Sequence, residues 1–145
     1  MHIGLIGGIG PAATTLYYEQ VVRHCRERNI ELALTMAHAD VATLLENQAN
    51  DDTQAQLAIY TDLAYRLRSA GAECLVIPAI SGHFCFTGDD FKLPLPVIDL
   101  IESVKAELSH RQCSRVGVLG TRQAMVSALY GRLIALKLPR LIRGS

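Results

Sequence analysis

The chain has 145 residues, 50% hydrophobic and 19% charged, with 14 Lys and Arg against 14 Asp and Glu. That length suits one domain with a real core, and a formal charge of zero excludes an electrostatic grip on nucleic acid or a polybasic membrane anchor. Eleven Gly and five Pro are ordinary counts, which excludes collagen, disorder and low complexity.

In chain order, His2–Ile6 is a short apolar run that ends in Gly7-Gly8-Ile9-Gly10-Pro11. A helix follows, with Pro11 in its first turn, where the missing N–H is not needed. Leu16, Tyr17, Val21 and Val22 recur at helical spacing. Leu32–His38 reads as a second strand with Asp40 just past its end, and Val41–Asp51 as a short helical turn and a polar loop. Asp51 or Asp52 caps a helix with an apolar stripe of Leu57, Tyr60, Leu63, Ala64 and Leu67, stopped by Gly71. Cys74–Pro78 is a third strand, followed by a loop from Ala79 to about Asp90. Pro96–Asp99 is a short fourth strand, Leu100–Ser109 a helix, Arg115–Leu119 a fifth strand, and Gln123–Leu136 a final helix. Strands alternating with helices imply right-handed crossovers and an α/β fold with a mainly parallel sheet flanked by helices.

No apolar run approaches the roughly 18 to 20 residues that span a bilayer. Met1-His2-Ile3-Gly4 opens directly into a strand-like run, without the regions of a signal peptide, so a cytoplasmic location is expected. Cys25, Cys74, Cys85 and Cys113 are scattered and form no CxxC pair, which suggests reduced thiols. His83 and Cys85 are close enough to share a metal, but no second ligand pair accompanies them, and no metal site is expected.

A faint repeat divides the chain. Ile3-Gly4-Leu5-Ile6-Gly7-Gly8 resembles Val116-Gly117-Val118-Leu119-Gly120-Thr121, an offset of 113 residues that also carries Tyr17 onto Tyr130. This suggests a first lobe over residues 1–112 and the opening strand and helix of an incomplete second lobe over 113–145.

Each motif has two readings. Gly8-Ile9-Gly10-Pro11-Ala12-Ala13 fits G-x-G-x-x-A between strand and helix, the context of a dinucleotide fingerprint. Pro11 removes a donor from that turn, however, and Asp40 comes 27 residues after Ala13 rather than the roughly 20 expected of a ribose-binding acid. A small carboxylate or phosphate fits the turn better. Asp40 and Gln48 stand beyond the carboxyl end of the second strand, where open α/β sheets bind ligands, but capping explains them equally. Ser81 could donate to a carboxylate. His83 is either a general base or the residue that fixes its own loop. With no acid evident beside Ser81 and His83, a Ser-His-Asp triad has little support. Thr121 is either a ligand-facing hydroxyl or the cap of the last helix.

The run Gly4-Leu5-Ile6-Gly7-Gly8-Ile9-Gly10-Pro11-Ala12-Ala13-Thr14 resembles the opening of the aspartate/glutamate racemase family, G-G-M-G-P-E-A-T, with departures at Ile9 and Ala12. His38-Ala39-Asp40 and Gln48 fall where that family has a second-strand rim and a substrate-contacting Gln. Val76-Ile77-Pro78-Ala79-Ile80-Ser81-Gly82-His83 aligns with its I-P-C-N-T-A-H, and Val118-Leu119-Gly120-Thr121 with the start of its second lobe. The resemblance implies two similar α/β lobes around a cleft, of which this chain has one complete, and cofactor-free inversion of a small amino acid by two cysteines on opposite faces of Cα. Such chemistry needs a base on one face and an acid on the other, because an α-proton beside a carboxylate is a very weak acid.

Carried over residue by residue, the resemblance assigns substrate contact to Gly8, Ile9, Gln48, Ala79, Ile80, Ser81 and Thr121. Ala79 stands at the first cysteine's position and moves no proton, Ile80 replaces a carboxylate-holding Asn, and the second cysteine has no counterpart in these residues. Cys85 is the candidate replacement base. Three functions therefore stand: a racemase lacking both bases, a binding module for a small carboxylate or amino acid, and a nucleotide-binding domain. A homodimer or larger homo-oligomer is also expected, from a fifth strand with an unpaired edge and an apolar stripe of Met125, Leu129, Leu133 and Leu136 without neighbours.

Overall fold

Five consecutive apolar or glycine positions from Ile3 to Gly7 place the first strand where both faces are covered, at the middle of a parallel sheet. The computed structural model describes residues 1–86, 92–113, 115–127, 129, 131–133 and 140–142. Its elements are β1 (His2–Gly7), α1 (Pro11–Glu27), β2 (Ala33–His38), α2 (Val41–Ala49), α3 (Thr53–Ser69), β3 (Cys74–Val76), a 3-10 helix (Ile80–Cys85), β4 (Val97–Ile98), α4 (Leu100–His110), β5 (Arg115–Gly117), α5 (Arg122–Val126) and β6 (Arg140–Ile142). They form two units, Met1–Ile98 and Asp99–Ser145.

In the first unit the strand order is β2-β1-β3-β4, all parallel, with Ile3 opposite Leu34 on one side and Cys74 on the other. Because β1 leads to β2 on one side while β2 leads back across β1 to β3, right-handed crossovers put α1 and α3 on opposite faces. The core lies under α3, where Tyr60, Leu63, Ala64 and Leu67 pack with Leu5 and Leu75, all 6% exposed or less. Asp52 starts α3 by accepting the Ala55 N–H at 2.9 Å. Gln56 completes the buried face instead of Leu57, for a reason that lies in its partners, given below.

Two expectations for this unit need correction. Residues 41–49 are helical throughout, because Asp40 caps them and Asn47 and Gln48 face inward instead of lying in a loop. The segment after Ala79 winds into a 3-10 helix, and residues 87–91 of the expected loop lie outside the described residues. Helix α1 buries only Thr14, with Val21 and Cys25 half-buried along the same stripe. Leu16, Tyr17 and Val22, whose spacing marks this helix, are exposed.

The second unit begins with Asp99, whose Oδ1 accepts the Ile101 and Glu102 N–H groups at the start of α4. Its Oδ2 accepts from Arg132 Nη2 at 2.7 Å, and the same nitrogen donates to Glu102 at 2.9 Å. β5 pairs in parallel with β6 in a separate two-stranded sheet, so it is not a fifth strand of the first sheet and one of its two edges is covered. The last helix is also shorter than its periodicity suggests. α5 ends at Val126, because Leu129 and Gly131 take left-handed backbone at φ 55° and 76°, which a helix cannot continue through. Leu129 and Leu133 are buried at 6% and 1% exposure and Met125 is half-buried; Tyr130 and Leu136 lie outside the described residues. Among the described residues, no helix is long and apolar enough to cross a membrane.

Candidate ligand-binding rim

β1 and β3 are adjacent parallel strands, so the glycine turn after β1 and the segment Ile77–Ala79 after β3 leave the sheet side by side at its carboxyl end. That end is where open α/β sheets bind ligands. The ladder continues one residue past β2, where the Ala39 N–H donates to the Gly7 carbonyl at 2.8 Å.

The turn itself is shaped by its neighbours. Gly8 has φ 153°, and a Cβ there would lie 2.6 Å from Leu44 Cδ1 and 2.9 Å from the Ala39 carbonyl oxygen. The room that a glycine creates at this position is thus filled by α2 and the end of β2. Gly10 is left-handed at φ 70° and precedes Pro11, the first residue of α1. Ile9, between them, is 7% exposed.

From the other strand, Ala79 is 9% exposed, and Ile80 and Ser81 are half-buried. Gln48 of α2 is 8% exposed and donates from Nε2 to the Ser81 carbonyl at 3.1 Å, joining two expected site residues 33 positions apart. Glycine turn, α2 and 3-10 helix therefore form one continuous rim. Thr121 belongs to the second unit, where its Oγ1 accepts the Ala124 N–H at 3.3 Å and so caps α5.

Asp40 proves to be a cap. One carboxylate oxygen accepts the Thr43 N–H and the Thr43 hydroxyl, both at 2.8 Å. The Thr43 backbone bond, then its hydroxyl, holds the Asp40 carboxyl below its ordinary value. Because the folded pKa is depressed, this stabilisation is present above the unfolded value of 3.8 and is lost as pH falls through the folded one. Asp40→Ala is therefore expected to lower the thermal midpoint at pH 7 and to converge with the wild type under strong acid. Equal midpoints at pH 7 would remove the cap's role.

His83 is fully buried, and its Nε2–H donates to the Ile77 carbonyl at 3.0 Å. Its ring stands edge-on to Phe86 at 5.3 Å. These contacts fix the loop and keep His83 from the rim surface, which does not suit a general base. Cys85 is 2% exposed, its Sγ donates to the Gly82 carbonyl at 3.5 Å, and burial pushes its thiol up to about 12. A thiol so protonated supplies little thiolate near neutral pH. Burial, reinforced by Glu73, also raises the Cys74 thiol. Among the described residues, no cluster of three or more His, Cys, Asp or Glu could hold a metal.

Three residues that pattern reasoning did not single out for the rim underlie it. Asn47 Nδ2 donates to Gln56 Oε1 at 3.2 Å, and Gln56 Nε2 donates to the Tyr60 hydroxyl at 2.7 Å, all within the interior between α2 and α3. The available signal was the i,i+4 spacing of Gln56 and Tyr60 on a face otherwise apolar.

Residues 6–138 match the family model of Asp/Glu/hydantoin racemases. The chain is similar to the broad-specificity amino-acid racemase RacX of Bacillus subtilis (strain 168), with 23% identity over 137 residues, covering 91% of this chain and 60% of that protein. Its fold is similar to that of an aspartate racemase homologue from Pyrococcus horikoshii OT3, with a TM-score of 0.80 and 24% identity, covering 99% of this chain and 64% of that one. The chain thus spans about three fifths of the length of the relatives it matches.

Proposed function

The chain belongs to the Asp/Glu/hydantoin racemase family, and from that premise we propose that it binds the carboxylate of a small amino acid at the rim of its first unit without inverting it. The observation that carries this reading is the Gln48–Ser81 hydrogen bond, which ties α2 to the 3-10 helix beside the glycine turn. In this arrangement Gly8, Ile9, Ala79, Ile80 and Ser81 line the ligand's position, with Ser81 donating to its carboxylate. Gln48 holds the Ser81 backbone. Racemisation by proton transfer at Cα, the activity its relatives' names carry, needs an acid and a base on opposite faces. Ala79 can serve as neither, and Cys85 is turned into the interior.

Titration with L- and D-aspartate and glutamate, followed through the Ser81 amide by NMR, tests the proposal. Saturable shifts centred on residues 79–81 are expected. Gln48→Ala should weaken binding about tenfold, the effect of one lost hydrogen bond to a partly buried group. The absence of any saturable shift with all four ligands would overturn the reading.

A further inference from the structure

Gly82 is the third residue of the rim's 3-10 helix, and its backbone is outside the left-handed region. Backbone conformation therefore does not require glycine there. Space does. A Cβ on residue 82 would run into the hydroxyl of Tyr60, whereas its next contacts, Ile77 Cγ2 at 3.4 Å and Tyr60 Cζ at 3.6 Å, are ordinary van der Waals distances. One oxygen atom accounts for the glycine.

That oxygen is itself held from below. Tyr60 is 1% exposed and accepts from Gln56, which is 0% exposed and accepts from Asn47. The Tyr60 ring also lies 5.9 Å from the ring of Phe86, just past the 3-10 helix. Side chains in a close-packed interior have little freedom to shift, and a fully hydrogen-bonded polar chain removes more of it. Asn47 is the neighbour in sequence of Gln48, which donates to the Ser81 carbonyl.

The geometry points to Tyr60 as the positioning residue of the rim. Its hydroxyl, pressed against Gly82, sets the backbone of residues 80–82, while Gln48 holds the same segment through the Ser81 carbonyl. Tyr60 does not touch the ligand. It acts through Ser81, and in this respect the inference rests on the rim being the ligand site.

A double-mutant cycle tests it on the full chain. Gly82→Ala should lower the thermal midpoint by forcing the methyl against the hydroxyl. Tyr60→Phe should speed amide exchange at residues 80–82 about tenfold relative to the rest of the first sheet, as expected for a local opening. The double variant Tyr60→Phe/Gly82→Ala should melt above Gly82→Ala alone, because the methyl then occupies the volume the oxygen vacated. Losses that simply add, or faster exchange spread evenly over α3 and the sheet, would overturn the assignment. Aspartate titration then separates the two readings. If the wild type binds no amino acid, the ligand site fails, while the cycle and the exchange pattern still decide the role of Tyr60. If the wild type binds, Tyr60→Phe should weaken binding about tenfold with the fold intact, and unchanged affinity would count against positioning.

Discussion

No inversion of D- or L-aspartate or glutamate is expected when the purified chain is incubated with them in deuterated buffer. Removing one catalytic acid or base typically costs roughly 100- to 10,000-fold in rate, and on the proposed reading both are missing. Ala79 has no titratable atom, and the nearest thiol, Cys85, is enclosed with its pKa pushed up to about 12. At pH 7 such a thiol is almost wholly protonated, and it faces the Gly82 carbonyl instead of the rim. On the same reading, Ala79→Cys alone should not restore inversion, because the chemistry needs a group on each face of Cα. Deuterium incorporated at Cα together with formation of the other enantiomer would show that another group does the work. In that case Cys85→Ser would identify whether the loop opens to release this thiol.

Gly8→Ala should be among the most destabilising single substitutions in the first unit, by about 2–4 kcal/mol. Overpacking alone typically costs 1–3 kcal/mol, and a side chain at positive φ adds strain. Leu44 Cδ1 can swing away from the new methyl, but the Ala39 carbonyl oxygen at 2.9 Å is backbone within the sheet's ladder and cannot. Gly10 supplies the internal control. Its φ of 70° carries strain, yet a Cβ there meets only Ala13 Cβ at 3.7 Å, so Gly10→Ala should cost only about 1–2 kcal/mol. Urea unfolding of both variants measures the difference. Equal losses would mean that conformation, and not the approach of β2, makes position 8 a glycine.

Much of the first unit was legible because its signals are local. An apolar run, a glycine turn and Pro11 at the next helix start are consecutive residues, and β1 and α1 follow them closely. The parallel sheet is legible for the same reason, since alternating strands and helices leave few topologies. α2 was misread because Glu46, Asn47 and Gln48 look like loop residues, and nothing near them in sequence shows what they bond. The length of α5 was misread because periodicity continues past Val126 while the backbone turns left-handed at Leu129.

The sequence by itself determined the family and the order of the elements of the first unit, because each depends on residue identity at consecutive positions. Only the tertiary structure showed that Asp40 caps α2 and that the Cys85 thiol is buried against the Gly82 carbonyl. It also revealed that Gln56 and Tyr60, deep in α3, support a loop more than 20 positions away in sequence. The physical reason is common to all three. A polar side chain's role is set by the partner that satisfies it and by the water it loses, and both are brought to it by chain segments that folding, not sequence spacing, makes neighbours.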